Sequence, residues 1–213
     1  MKLNKRHQSN IASAIASAER ETSAEIAWKV VDRSSSYSDA PWIWSVLLLT
    51  ATGFFQLANG WNGGYGVADI LLADLAVCLV AGFALAKVAF LRRLVISDAR
   101  MKRRVTEKAQ SSFFTGGVHL TRQHNGALIY ISVLERRVVI VIDKAIVTAT
   151  SFDGANEMDP LLMDIARLEK ASWLNREMFV WDVMERIKRL GDYLKEYFPP
   201  KPGDRNEVPD LMV

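Results

Sequence analysis

Two long apolar runs, separated by a short loop, constrain this chain more than any other feature of its sequence. The first run, Trp42 to Ala58, carries no charged side chain, and the second, Ile70 to Leu91, carries only Asp74 near its start and Lys87 near its end. A helix needs about 20 predominantly apolar residues to cross a bilayer, with about 17 at the short end. The pattern therefore predicts two transmembrane helices; the alternative is a pair of core helices in a soluble protein.

Basic residues lie on both sides of these runs, whereas the loop between them, Asn59 to Asp69, contains no Lys or Arg. Cytoplasmic loops of membrane proteins carry an excess of Lys and Arg, so we expect both flanks and both termini in the cytoplasm. Trp61 and Tyr65 in the loop suit the aromatic belt at the opposite interface. The basic residues expected at the membrane surface are Arg92, Arg93, Arg100, Lys102, Arg103 and Arg104.

The totals restrict what the rest of the chain can be. Outside the two runs about 160 residues remain, enough for one globular domain of ordinary size and too few for two. The formal net charge is +3, and its excess follows the second run, which indicates a membrane-facing surface rather than a nucleic-acid-binding one. Cys78 is the only cysteine, so neither an intramolecular disulfide nor a thiolate zinc site can form. We therefore expect the lipid bilayer, and not nucleic acid, as a partner.

The piece before the hairpin is too small to fold alone. A helix beginning at Ser9 or Asn10 and ending near Thr22 is followed by an alternating strand, Ser23 to Val31. A lone helix and strand cannot bury their apolar faces, so their partner must lie beyond the hairpin. The sequence therefore predicts a sheet shared between the two sides of the hairpin.

After the hairpin the pattern predicts a helix, two strands and further helices. The strands Ala127 to Val133 and Arg137 to Ile142 are almost continuously apolar, which indicates burial on both faces, and a tight turn makes them antiparallel. The other expected elements are a basic helix from Asp98 to about Phe114, a short strand from Ala145 to Thr148, a helix from Pro160, and a last helix from Asn175 or Arg176 to Tyr197. The expected fold class is α/β, with a small sheet sandwiched between helices and interrupted by a two-helix transmembrane hairpin.

This organisation divides the chain into four segments. Residues 1–40 and 92–200 form the two parts of one cytosolic domain, and residues 41–91 form the hairpin, with spans at 42–58 and 70–91. Residues 201–213, which follow two prolines, form a flexible tail. The first forty residues are polar, so we expect no secretory signal peptide.

The signatures of common enzyme classes are missing from the sequence. It has no GxxxxGK[ST] phosphate loop, no GxGxxG after a strand, no HExxH helix and no GxSxG elbow. Cys78 lies inside an apolar run, where a cysteine phosphatase could not use it as a cytosolic nucleophile. We therefore assign no catalytic residue.

Carboxylates at strand ends are the remaining candidates for chemistry. Asp32 closes the first strand and Asp143 the last, and α/β proteins tend to bind ligands at strand ends. If those ends lie together, the two carboxylates could hold Ca²⁺ or Mg²⁺ with loop carbonyls and water. The alternative, which we favour, is that each carboxylate caps a loop. His119 and His124 flank a Gly-rich loop but match no standard metal-ligand spacing, so we expect surface histidines.

Two other charged sites have alternative interpretations. Glu135 and the two arginines that follow it form either an anion site or a solvated turn, and we favour the turn. Asp74 lies in an apolar run, where an ionisable side chain is a candidate functional group. Its position near one end of the run favours a structural role instead: either a hydrogen bond across the hairpin to Thr52 or Gln56, or contact with water at the headgroups.

Several stretches of the sequence resemble a known family. They are AERETSAEI (Ala18 to Ile26), HNGALIYISVLERRVVIVIDKAI (His124 to Ile146) and the late FPP and NEVPD (198–200 and 206–210). Together they resemble the membrane-embedded bacterial branch of the TPM-domain family. The resemblance implies a compact sheet flanked by helices and a location in the bacterial inner membrane.

The resemblance also sets expectations about function. Relatives in the TPM-domain family have been linked to phosphatase activity, to calcium binding and to the assembly or repair of membrane complexes. Of the family's site positions only Asp143 matches, and Lys144 and Ala145 stand where a glycine is usual. We expect an accessory or interaction module for other membrane proteins, with homo-oligomers also open. The alternatives are a divalent-metal-dependent phosphatase of the TPM type and a transporter subunit in which Asp74 is essential.

Overall fold

The computed structural model describes residues 4–59, 67–150, 164–166, 173 and 175–201. The loop aromatics Trp61 and Tyr65, the expected helix start at Pro160 and the expected flexible tail after Lys201 lie outside these residues. The described part of the chain is a mixed α/β structure with one three-stranded sheet. Its helices are α1 (Lys5–Glu19), α2 (Ala40–Asn59), α3 (Val67–Leu85), α4 (Ala89–Leu94), α5 (Asp98–Thr115), α6 (Lys144–Thr150) and α7 (Arg176–Tyr197), with a 3-10 turn at Val118–Leu120; its strands are β1 (Glu25–Val31), β2 (Gly126–Ser132) and β3 (Arg137–Ile142).

The sheet joins strands from the two sides of the apolar helices. β1 pairs with β2 in parallel, from Glu25 opposite Gly126 to Val31 opposite Ser132. β2 pairs with β3 in antiparallel, so the strand order is β1-β2-β3. Parallel strands need a long connection between them, and here that connection contains α2 to α5. The predicted shared sheet and the predicted antiparallel hairpin are both confirmed.

Helices pack against both faces of this sheet. On one face, Trp28 of β1 and Ile129 of β2 belong to the same apolar cluster as Ile187 of α7. On the other face, Leu128 of β2 packs in a second cluster with Val105 of α5. Successive side chains of a strand point to opposite faces, which explains why neighbours in β2 enter different clusters.

The burial predicted for the two apolar strands is confirmed for only one of them. All seven residues of β2 are buried, because the strand has a neighbour on each side and helices on both faces. In β3 only Ile140 is fully buried, and the other residues are half-buried. β3 is an edge strand with β2 as its single strand neighbour, so its outer side is less covered.

The first helix begins earlier than the sequence suggests. We expected an N-cap at Ser9 or Asn10, but α1 begins at Lys5 and ends at Glu19. The cap is Asn4, whose side-chain oxygen accepts a hydrogen bond of 2.9 Å from the backbone N–H of His7.

The expected strand from Ala145 to Thr148 is wrong, because these residues lie in α6. Their β-branched side chains favour a strand locally. Ile146 is nevertheless fully buried in the core on the α6 helix, together with residues of α1 and α7. Tertiary packing therefore outweighs the local preference.

α2 and α3 are long and apolar enough to cross a membrane, over Ala40–Ala58 and Ala68–Leu85. Only 11 % of each span is buried inside the structure. A Cβ atom on Gly82 would overlap the Oγ of Ser45, so this glycine lets the two helices approach closely. α3 ends at Leu85 rather than at the predicted Leu91, and α4 follows it as a separate short helix.

The chain divides into two compact units. The α/β unit comprises Met1–Ser34 and Lys102–Val213, and the hairpin unit comprises Ser35–Met101. The α/β unit contains the sheet with α1, α6, α7 and most of α5. The hairpin unit contains α2, α3, α4 and the first residues of α5.

Candidate functional site

The two strand-end carboxylates lie at opposite ends of the sheet. Asp32 follows β1 at the end where β2 also finishes. Asp143 follows β3, which runs the other way, and its backbone N–H donates to the carbonyl of Gly126 at the start of β2, at 2.9 Å. The seven residues of β2 separate these ends, a distance of about 20 Å at about 3.3 Å per residue. A single cation site shared by Asp32 and Asp143 is therefore wrong.

Asp143 instead contacts the start of α6 and a neighbouring histidine. Its Oδ1 accepts a 2.7 Å hydrogen bond from the backbone N–H of Lys144, and its carbonyl accepts one of 3.1 Å from Val147. Its Oδ2 lies 3.6 Å from Nδ1 of His124. Among the described residues, no group of three or more His, Cys, Asp or Glu side chains is placed to hold a metal ion. The geometry of Asp143 is thus that of a helix cap.

The two histidines of the Gly-rich loop have different surroundings. His119 packs against aromatic rings, with its ring centroid 5.2 Å from that of Phe114 and 6.3 Å from that of Phe113. His124 is exposed, has a positive φ of 52° and faces Asp143. His119 is therefore a packing residue, and His124 is the surface histidine that the sequence predicts.

Glu135, which we expected in a solvated turn, is buried, with 1 % of its surface exposed. Its carboxylate accepts hydrogen bonds from the backbone N–H of Ser34, at 3.0 Å, and from the hydroxyl of Ser132. The hydroxyl of Ser34 donates to that of Ser132 at 2.8 Å and lies 3.2 Å from the hydroxyl of Tyr130. The solvated-turn prediction is wrong because the residues after β1 lie against the β2–β3 turn and contact Glu135.

This hydrogen-bonded group, the Tyr130–Ser34–Ser132–Glu135 chain, lies at the carboxyl ends of the parallel strands β1 and β2. Burial raises the pKa of Tyr130, the hydrogen bond between Tyr130 and Ser34 opposes that change, and the charge of Glu135 adds to it. Sequence reasoning missed the two serines because only the pairing of β1 with β2 brings them together. Ser132 is the last residue of β2 and Ser34 lies three positions beyond β1, so a polar residue at or just after the end of an apolar strand is the local signal for them.

Polar side chains in the hairpin unit meet where α2 and α3 pack together. The side-chain amide of Gln56 donates to the carboxylate of Asp74, which confirms one of the two predicted partners. Thr52 instead lies with its hydroxyl 3.9 Å from the Sγ of Cys78. Gln56 and Asp74 are thus paired between the helices, whereas the exposed Thr50 bonds to the carbonyl of Val46 in its own helix.

Arg100, Arg103 and Arg104, which we predicted at a membrane surface, have carboxylate partners. Arg100 binds both oxygens of Asp39, and its hydrogen bond lowers the pKa of that carboxyl group. Arg103 and Arg104 contact Glu107 at 2.7 and 3.2 Å. The hydrogen bond from Arg103 likewise lowers the pKa of Glu107. The carboxylates of Asp39 and Glu107 therefore partly offset the positive charge of these three arginines.

The other three basic residues differ in position. Arg92 and Arg93 lie in the last turn of α4, beside apolar side chains that are exposed. Lys102 is exposed on α5. The basic stretch of the sequence is thus divided between α5 and α4, and the basic residues of α4 adjoin exposed apolar surface.

A groove of about 320 Å³ lies between α1 and α7 in the α/β unit. The two helices approach closely here, because a Cβ atom on Gly191 would lie 2.7 Å from the Cβ of Ala18. Trp181 and Met184 of α7 line the groove, and 68 % of the Trp181 surface is exposed. Exposed tryptophans beside pockets are frequent anchors in protein interfaces. The groove is large enough to hold a partner's side chain.

Comparisons with known proteins bear on the fold. No protein-family model matches the chain, and no curated protein matches it. Among solved structures, the chain is similar to the NMR structure of BA42 protein from the psychrophilic bacterium Bizionia argentinensis. The TM-score is 0.56 and the sequence identity 19 %, over 99 % of this chain and 93 % of that one. At this identity the similarity concerns the mixed α/β fold alone.

Proposed function

We propose that this chain is a bacterial inner-membrane protein that carries a cytosolic α/β domain of the TPM type. α2 and α3 form its membrane anchor, both termini lie in the cytoplasm, and the domain is an accessory or interaction module for other membrane proteins. The observation that carries the proposal is the apolar outer surface of α2 and α3, most of which no other part of the described structure covers.

The exposure of these helices favours lipid over the soluble alternative. Leu57 is 82 % exposed, and Phe54 and Val80 are also exposed. Leaving one such side chain in water forgoes about 1.5–3 kcal/mol relative to burying it. Soluble monomers rarely expose contiguous apolar patches larger than a few hundred Å². A core helix of a soluble domain would bury these side chains, whereas a bilayer covers them.

The two ends of the hairpin support an orientation with both flanks on one side. The indole N–H of Trp44, near the start of α2, donates to the carbonyl of Leu91, after α3, at 3.1 Å. The start of α2 and the segment after α3 therefore lie together, as two antiparallel spans require. Because Lys and Arg are concentrated in these flanks, the positive-inside rule assigns them to the cytoplasm.

The layering of the α/β unit supports a domain of the TPM type. Its sheet has α1 and α7 on one face and α5 on the other, which is the sheet flanked by helices that the family resemblance implies. The groove beside Trp181 supports the role as an interaction module.

One pair of substitutions tests the membrane anchor directly. Val77 in the middle of α3 is 66 % exposed and Trp181 of the α/β unit is 68 % exposed, so Val77→Arg and Trp181→Arg are matched in exposure and in the residue introduced. Arginine at the centre of a membrane span costs about 2.5–3.5 kcal/mol. We expect Val77→Arg to lower the fraction that resists carbonate extraction from membranes at least tenfold, and Trp181→Arg to leave it unchanged. Equal retention of both variants would contradict the proposal.

A reporter fused after Val213 tests the orientation. An alkaline-phosphatase fusion should be inactive and a green-fluorescent-protein fusion should be fluorescent, because only a cytoplasmic C-terminus gives that combination. The reverse combination would contradict the assigned orientation while leaving the anchor itself intact.

The alternative function, a divalent-metal-dependent phosphatase of the TPM type, is supported only by the contact between Asp143 and His124. It predicts phosphomonoester hydrolysis by the purified chain that requires Ca²⁺ or Mg²⁺ and is abolished by Asp143→Asn. An interaction module has no such turnover. A transporter subunit would instead lose function in Asp74→Asn with the α/β unit still folded.

A further inference from the structure

α4, the short helix that follows α3, has apolar side chains that its own unit leaves uncovered. It spans six residues and contains no buried residue. Val88 before it is 50 % exposed, and Phe90 and Leu94 within it are 65 and 60 % exposed. Helices this short are not stable in water by themselves. The apolar side of α4 therefore requires a covering environment.

The segment around α4 is basic. From Lys87 to Ser97 the sequence contains Lys87, Arg92 and Arg93 and no acidic residue, and Asp98 follows at the start of α5. The environment that covers α4 should therefore be apolar on one side and negatively charged on the other.

Two hydrogen bonds hold α4 at the level where the apolar helices end. The carbonyl of Leu91 accepts from the indole N–H of Trp44 in α2, at 3.1 Å, and the Nε of Arg92 donates to the carbonyl of Ala86 just after α3, at 2.8 Å. Trp42 of α2 lies at the same end, with its ring 5.5 Å from that of Phe83. Tryptophans concentrate where the hydrocarbon core meets the headgroups, so α4 occupies the level of the headgroups.

We propose that α4 lies in the cytoplasmic leaflet as an interfacial helix that binds anionic phospholipids. Val88, Phe90 and Leu94 contact the acyl chains, and Arg92 and Arg93 bind the headgroup phosphates, which arginine can engage with two parallel hydrogen bonds. The inference rests on the proposed membrane anchor and adds the lipid class that the anchor recognises.

The test uses the full chain in non-ionic detergent, titrated with phosphatidylglycerol or with phosphatidylcholine, and native mass spectrometry to count bound lipid. Each basic residue near an anionic surface contributes about a fivefold change in affinity. We expect phosphatidylglycerol to bind in preference to phosphatidylcholine, and Arg92→Gln/Arg93→Gln to weaken its binding about 25-fold. Arg93→Gln alone keeps the Arg92 bond to Ala86 and should weaken binding about fivefold.

The matched control is Arg103→Gln/Arg104→Gln, which removes the same charge from α5 and should change the affinity by no more than about twofold. Phe90→Ser/Leu94→Ser, which keeps the charge, should also weaken binding several-fold. Equal losses in the α4 and α5 double variants, no preference for phosphatidylglycerol, or displacement of the lipid by millimolar inorganic phosphate would each overturn the inference.

Carbonate extraction separates this inference from the proposed membrane anchor. All these variants keep α2 and α3 and should stay in the membrane fraction. If they stay and the lipid preference is absent, only the role of α4 is wrong. If the wild-type chain itself is extracted, the anchor is wrong as well.

Discussion

The α/β unit and the hairpin unit use similar apolar side chains in opposite ways. In the α/β unit, Leu128 and Leu190 are fully buried, whereas Leu57 of the hairpin unit is largely exposed. The same side chain thus faces protein in one unit and the surroundings in the other. The comparison teaches that apolar composition alone does not separate a core from a lipid-facing surface, and that the packing around each residue does.

One carboxylate in each unit is hydrogen-bonded to neighbouring polar groups of the protein. In the α/β unit the buried Glu135 is hydrogen-bonded to Ser34 and Ser132. In the hairpin unit Asp74 is hydrogen-bonded to Gln56 between the helices. Polar groups that leave water require such partners because desolvation without a hydrogen bond costs several kcal/mol. These two carboxylates are therefore paired in a similar way, and the units differ in what their outer surfaces contact.

The largest expected difference between the units comes from identical truncations. Leu190→Ala removes a fully buried side chain and should lower the free energy of unfolding of the α/β unit by about 2–5 kcal/mol. Leu57→Ala removes a side chain that is 82 % exposed and should change the free energy of unfolding of the hairpin unit by less than about 0.5 kcal/mol. Urea unfolding in non-ionic micelles measures both, with hydrogen exchange of β2 amides reporting on the α/β unit and that of α2 amides on the hairpin unit. Similar losses in both variants would show that Leu57 lies in a protein core and would remove the contrast.

A smaller effect tests the buried carboxylate. Glu135→Gln keeps the shape but replaces one acceptor oxygen with a donor, which leaves Ser34 or Ser132 without its bond, so we expect a loss of about 1–3 kcal/mol. Glu196→Gln, on the exposed side of α7, is the control and should change stability by less than about 0.5 kcal/mol. Urea unfolding in non-ionic micelles measures the free energy of unfolding of both variants. No difference between the two variants would mean that the hydrogen-bonded chain does not stabilise the domain.

The smallest effect concerns the titration of Tyr130. Ser34→Ala removes the hydrogen bond that lowers the pKa of Tyr130 and should raise this pKa further, whereas Glu135→Gln removes a negative charge and should lower it. Because the folded-state pKa is above the ordinary value of about 10, the contribution of Tyr130 to stability is complete below pH 10 and is lost as the pH rises through the folded-state pKa. Carbon-13 NMR of the tyrosine ring carbons, recorded as a function of pH, measures the pKa of Tyr130 in each variant. Shifts of the same sign in both variants would contradict the assigned contacts.

Elements with a strong local pattern were predictable. The last helix begins where expected, since Asn175 accepts hydrogen bonds from the backbone N–H groups of Glu177 and Met178. Its predicted apolar stripe, of which Ile187 is a member, is buried, and so is the stripe of α5 that contains Val105. Spacing of three and four residues defines a helix face without reference to the rest of the fold. Such features therefore follow from neighbouring residues alone.

The candidate sites were less predictable, because they depend on contacts between distant residues. The strand-ending role of Asp143 is local, but its separation from Asp32 depends on β3 running against β2. The burial of Glu135 depends on Ser34, which reaches it through the pairing of β1 with β2. Neither relation has a signal within a short window of sequence.

The amino-acid sequence by itself determined the two apolar helices, the main helical faces and the apolar strands, because periodicity and length are properties of neighbouring residues. The tertiary structure alone decided which strand ends meet, that Ile146 lies in a helix, and that Glu135 is buried while the side chains of α4 are exposed. Strand direction and side-chain burial arise from pairing between residues far apart in the chain, and the sum of those distant contacts exceeds any local preference.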